Sequence, residues 1–146
     1  MPTFHPIAWT PDLEVGVPEV DDEHALLVTL YNDVVRATRQ GVSRPTRDGI
    51  VRSLQAYAVF HMDREEAWMI SHAYPDTARH RARHAEFRAA VEALYADAPD
   101  DAEHARMAAL ASFLRAWILD HIRGEDRALF DWIHDGCPNP LACAAE

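Results

Sequence analysis

Two pairs of side chains able to bind a metal are each spaced by one helical turn, His61 with Glu65 and His80 with His84. Residues four apart on a helix stand on one face, so each pair can offer two donors to a common point. His24, His121 and Asp126 occupy core-facing positions of other amphipathic stretches and bring the set to seven. That exceeds the four donors of a structural zinc site, and imidazole with carboxylate suits iron. Seven donors suggest two metals. A lone histidine on an apolar face is more simply a hydrogen-bonded core residue, and His72 is read that way. Carboxylates such as Glu65 and Asp126 on apolar stripes are different, because a buried charge is costly without a counter-charge. His5, His104 and His134 are expected at the surface or in loops. Trp68, Met69, Phe87 and Phe113 are expected in the core. Asp63, Glu66 and Glu125 are read as solvated helix face, with a supporting contact to a ligand open to one of them.

These donors need helices to hold them, and the sequence supplies four. The first starts at Pro18, carries acidic residues in its opening turn and the stripe Val20, His24, Leu27, Tyr31, Val34, Thr38, and stops at Gly41. The second, from about Thr46, reads Ile50, Leu54, Tyr57, His61, Glu65, Trp68, His72 and ends before Pro75. Asp76 can cap the third, with His80, His84, Phe87, Val91 and Leu94 before Pro99. The fourth runs from near Asp100 through Met107, Leu110, Leu114, Trp117 and His121 to about His134. The expected fold is all-α, an up-down-up-down four-helix bundle. Residues 1–17 form an N-terminal arm anchored by Trp9, and residues 136–146 a tail whose Cys137 and Cys143 are read as free thiols.

A chain of 146 residues fits a single domain with one core. The net charge of −10 argues against nucleic acid, whose phosphates would repel it. No apolar run is long enough to span a membrane. The first residues carry no basic segment followed by an apolar one, so a cytoplasmic location is expected.

In order along the chain stand Trp9, Val20-Asp21-Asp22-Glu23-His24, His61-Met62-Asp63-Arg64-Glu65-Glu66, Tyr74-Pro75, His80-Arg81-Ala82-Arg83-His84, and Trp117 leading to His121-Ile122-Arg123-Gly124-Glu125-Asp126. This series resembles the haemerythrin family, bacterial haemerythrins in particular, over nearly the whole chain. The resemblance implies two iron ions in an oxo- or hydroxo-bridged centre. His80, His84 and His121 would hold one iron, His24 and His61 the other, with Glu65 and Asp126 bridging. It further implies O2 as the ligand, bound reversibly at an open position on the second iron, for storage, transport or delivery rather than as an enzyme. Trp117, Ile118 and Ile122 would line the O2 pocket, with Met62 where relatives commonly carry Phe. The alternatives are a di-iron oxidase, peroxidase or nitric oxide-handling enzyme, and an O2 or redox sensor acting through a client protein.

The fourth helix carries a mismatch. In a regular α-helix the five-residue step from His121 to Asp126 separates two side chains by roughly 140°. The apolar pattern slips there too: Leu114, Trp117 and His121 should continue to Ala128, yet the downstream stripe reads Asp126, Leu129, Ile133. One extra residue is the signature of a π-turn, expected between His121 and Asp126, with Gly124 lowering its backbone cost.

Overall fold

The computed structural model describes residues 3–95 and 102–135. The four expected helices are all present. The first is α1 (Pro18–Gln40). The second is a rod of α2 (Arg44–Tyr57), a π-turn (Ala58–Met62) and α3 (Asp63–Ser71). The third is α4 (Thr77–Tyr95), and the fourth joins α5 (Glu103–Ala116), a π-helical stretch (Trp117–Asp126) and α6 (Arg127–Asp135). α1 packs on both α2 and α5, and α4 packs on both α2 and α5, so the rods close into a four-membered ring. This is the all-α four-helix bundle expected from the stripes.

Helix ends follow local chemistry. Pro18 opens α1, and Gly41 closes it with a positive φ of 71° while its N–H reaches the Ala37 carbonyl at 3.0 Å. α2 begins two residues earlier than its stripe suggested, because the Ser43 side chain accepts the Thr46 N–H and caps the helix. The start near Asp100, and the tail with Cys137 and Cys143, lie outside the described residues.

The arm packs its expected Trp9 on the apolar interior and has further anchors. Trp9 is only half-buried, whereas Leu13 and Val15 are buried, with Leu13 in a short 3-10 turn (Pro11–Leu13). Polar contacts fasten the rest: the Asn32 amide accepts from Ile7 N–H at 2.9 Å and donates to its carbonyl at 3.0 Å, while the Tyr31 hydroxyl donates to the His5 carbonyl. Backbone groups that must be satisfied thus anchor the arm alongside its aromatic.

The apolar interior is divided. One large cluster joins Leu27, Tyr31, Val34, Leu54, Met62, Phe87, Val91, Leu110, Leu114, Trp117, Ile118 and Ile122 with their neighbours. A smaller one contains Val15, Val20, Met69, Tyr74, Leu129 and Phe130. Along α1 the order is Val20, His24, Leu27, and along the fourth rod it is Ile122, Asp126, Leu129. A polar layer therefore lies between the two apolar clusters.

Candidate metal centre

The polar layer consists of the seven residues singled out by spacing. His24, His61, Glu65, His80, His84, His121 and Asp126 are each at most 3% exposed. They form two overlapping groups of donors, each within 4.8 Å of one another. Glu65, His80, His84, His121 and Asp126 make one, and His24, His61, Glu65 and Asp126 the other. Glu65 and Asp126 belong to both.

Backbone geometry explains how Asp126 arrives. The π-helical stretch over Trp117–Asp126 widens the turn, so His121 and Asp126, five residues apart, are both buried on the inner face. The expected π-turn is present and is longer than the single step proposed. A second one, Ala58–Met62, buries both His61 and Met62, and it was not expected from the stripe.

All five imidazoles present Nε2 to the centre. His80 Nε2 and His84 Nε2 approach Glu65 Oε1 at 2.6 and 3.1 Å, and His61 Nε2 lies 3.2 Å from Glu65 Oε2. His80 and His121 Nε2 both lie 3.0 Å from Asp126 Oδ1, and His24 Nε2 lies 3.1 Å from Asp126 Oδ2. His24 and His61 face each other Nε2 to Nε2 at 3.2 Å.

Proximity here is not satisfaction. Glu65 Oε2, Asp126 Oδ1 and His121 Nε2 are buried without a hydrogen bond of acceptable geometry, despite those short N···O separations. Buried polar atoms are normally paired, and leaving one unpaired costs about 1–3 kcal/mol. Lone pairs that crowd together without aligning on one another suit cations placed between them. Five neutral nitrogens and two carboxylates are also the donor chemistry of an iron pair. The residues present fit the group.

Charge in the cage is also shared with protons on the rings. Burial opposes the imidazolium of His61, but Glu23 and Glu65 outweigh it and raise the ring to about 9. His80 rises to about 10, as Asp126 and Glu65 overcome burial, and His121 moves up with Asp126 beside it. Glu65 and Asp126 shift down although burial, the largest influence on each, opposes this, because the surrounding imidazoles outweigh it. Metal uptake must displace these protons.

Outside the imidazoles stands a ring of carboxylates that sequence reasoning missed or misplaced. Glu23 Oε2 lies 3.2 Å from His61 Nδ1 and is held by Arg64. Glu66 Oε2 lies 3.0 Å from His84 Nδ1, with Arg81 at 3.1 Å on its other oxygen and Arg88 at 2.9 Å. Glu125 Oε1 stands 3.4 Å from His121 Nδ1, looser than a hydrogen bond, and accepts from Arg83 Nε at 2.9 Å. His121, against burial, and then Arg83 bring the Glu125 carboxyl down to about 2. Glu66 is thus not solvated face: it orients the His84 ring and favours the proton on its outer nitrogen, while Glu125 stands beside His121 in a pair with Arg83. Only Asp63 keeps the exposed position expected of it, bonded to Arg88 at 2.8 Å. The available signal was adjacency, since each of the three carboxylates sits beside a donor in sequence. Glu66→Gln is expected to lower metal affinity roughly 10- to 100-fold while leaving two donor groups intact. Competition with a calibrated chelator measures this, and an unchanged affinity would make Glu66 a surface ion pair only.

The remaining histidines fall as expected. His72 is buried, with Nδ1 2.8 Å from the Trp68 carbonyl, and His5, His104 and His134 are exposed. Met62, Trp117, Ile118 and Ile122 lie in one buried apolar cluster, and Trp117 stacks on His121 with ring centroids 4.0 Å apart.

A closed helical bundle enclosing a cage of imidazoles and carboxylates defines a cation-binding protein. The sequence model for "Hemerythrin HHE cation binding domain" matches residues 15–133, and the chain belongs to the haemerythrin family. It is similar to "Bacteriohemerythrin" of Stenotrophomonas maltophilia, 26% identical over 129 residues, covering 87% of this chain and 81% of that one. "Bacteriohemerythrin" of Clostridium acetobutylicum is 26% identical over 126 residues, 84% of this chain and 98% of the relative. A hemerythrin subunit from Sipunculus nudus is 28% identical over 129 residues, 86% and 92% of the two chains. Among the described residues no helix is long and apolar enough to cross a membrane.

Proposed function

We propose that the chain is a non-haem di-iron protein that binds O2 reversibly and serves to store, carry or deliver it. His80, His84 and His121 hold one iron, His24 and His61 the other, and Glu65 and Asp126 bridge them. The observation that carries this reading is the inequality of the two donor groups around a shared carboxylate pair: three imidazoles on one side, two on the other. The poorer side has one protein donor fewer, leaving a position for a small ligand. A reduced iron pair, when bound, supplies two electrons and that open position to O2.

The protein's own part is to keep the neighbourhood dry. Met62, Trp117, Ile118 and Ile122 are each no more than 1% exposed, and none can give or take a proton at neutral pH. A site so lined excludes water and offers no acid or base for turnover, which favours binding over catalysis. Met62 is the adjustable wall, unbranched and mobile in its rotamers.

An absorption spectrum of the reduced, iron-loaded protein, taken without oxygen, in air and again under argon, tests the proposal. A change that reverses under argon is expected, whereas continuous consumption of reductant would make the protein an enzyme. Met62→Phe is expected to slow decay of the oxygenated protein several-fold by narrowing the wall. An equal or faster decay would remove Met62 from the pocket.

A further inference from the structure

The apolar wall closes one approach to the cage, but a polar approach exists elsewhere. Tyr74, Asp76, Arg79, His80, Gly124, Glu125 and Ala128 line a crevice of about 160 Å³. Asp76, Arg79, Gly124 and Ala128 are exposed, while His80 is buried. The crevice therefore leads from solvent to an imidazole that is itself one of the seven donors. A larger crevice, of about 370 Å³, is lined by Gln55, Ala58, Val59, Arg88, Val91 and Glu92 and includes none of the seven.

Gly124 forms part of this passage, and its backbone does not require glycine. Positive φ is confined to Gly16 and Gly41 among the described glycines, and a Cβ built on Gly124 meets nothing within 4 Å. The π-stretch is thus compatible with a side chain at this position, and the sequence-based expectation that glycine eases the turn is not what the geometry displays. Glycine inside a helix costs roughly 0.5–1 kcal/mol relative to alanine. The space a side chain would enter there is open, and Gly124 and His80 both line the crevice.

We infer that this crevice is the port through which divalent cations enter and leave the cage, with His80 as the donor that swings into it and Gly124 keeping it open. This rests on the di-metal reading above. A crevice of this volume holds several waters, which lets a cation arrive partly hydrated. Asp76, Arg79 and Glu125 line the way, with Glu125 already paired to Arg83, so the pull on cations comes from the chain's net charge of −10. His80 suits the gate because it alone among the five histidines lines the crevice.

Cobalt(II) uptake by the metal-free full chain, followed by stopped-flow absorption, and its release to a chelator test the port. Gly124→Leu fills the crevice from its open side, and Ala128→Leu does so from the next turn. Gly49→Leu, a helical glycine with nothing within 4 Å of its Cβ and outside the crevice, is the control. Both plugging variants are expected to slow uptake and release by the same factor, tenfold or more, with the final cobalt content unchanged and the control like wild type. Should Gly124→Leu fail to fold, Ala128→Leu decides. Rates within twofold of wild type would overturn the port, as would faster release with unaltered uptake, which marks a weakened cage. A wild-type chain that takes up no cobalt pair would overturn the di-metal reading itself, whereas failure of the port leaves that final content intact.

Discussion

Glu65→Ala is expected to leave the chain without its metal pair when it is produced in iron-replete medium, where the unaltered chain is expected to carry two irons. Glu65 belongs to both donor groups, and its oxygens lie within 3.2 Å of His61, His80 and His84. No other side chain described at the site can replace a carboxylate that two elements of the cage share. The same substitution also removes charge. Glu65 is among the groups that favour protons on His61 and His80, so its loss leaves Asp126 as the one carboxylate between the rings, with Glu23 still on the outer nitrogen of His61. Removing one partner from a buried charge network costs about 3–5 kcal/mol. At 2–4 °C per kcal/mol for a chain of this size, the metal-free variant should melt on the order of 10 °C below metal-free wild type. Metal content per chain and a melting curve report the two effects separately. A variant that keeps both metals would end the bridging role.

Stripping the metals from the wild-type chain should lower its melting temperature by on the order of 20 °C without unfolding it. A cation present at a thousandfold excess over its dissociation constant stabilises the folded state by about 4.1 kcal/mol. Two sites give about 8 kcal/mol, and the same conversion leads to the expected shift. The fold should persist because protons drawn onto His61, His80 and His121 replace part of the lost charge, and because both apolar clusters are independent of the metal. Circular dichroism melts with and without chelator measure the difference. Equal melting temperatures would mean that the cage binds nothing tightly enough to matter to folding.

Much of the bundle was legible because a helical stripe repeats every three to four residues, and the donors fell on the stripes themselves. Even the π-stretch before Asp126 was legible, since an inserted residue leaves a slip in that repeat. The turn at Ala58–Met62 was not, because Tyr57, His61 and Glu65 keep an unbroken four-residue spacing and show no slip. Glu23, Glu66 and Glu125 escaped for a different reason. Charged residues next to a donor read as the outer face of the helix, and only contacts with other rods reveal their role for His61 and His84. Trp9 packs on the core as its size suggested, but Asn32, an ordinary polar residue, also fastens the arm through backbone groups that no periodicity reports. The division of irons between the histidines came from family resemblance, and spacing alone yielded only a set of seven.

The polar layer between the two apolar clusters also fixes the vertical alignment of the bundle. Helices packed only through leucine, valine and alanine can slide past one another by a turn, about 5.4 Å, and find another acceptable fit. Here such a slip on any rod would press a carboxylate or imidazole against hydrocarbon and withdraw a donor from the centre. One height for each rod satisfies all four at once, so the seven residues act as a vernier that reads a single setting.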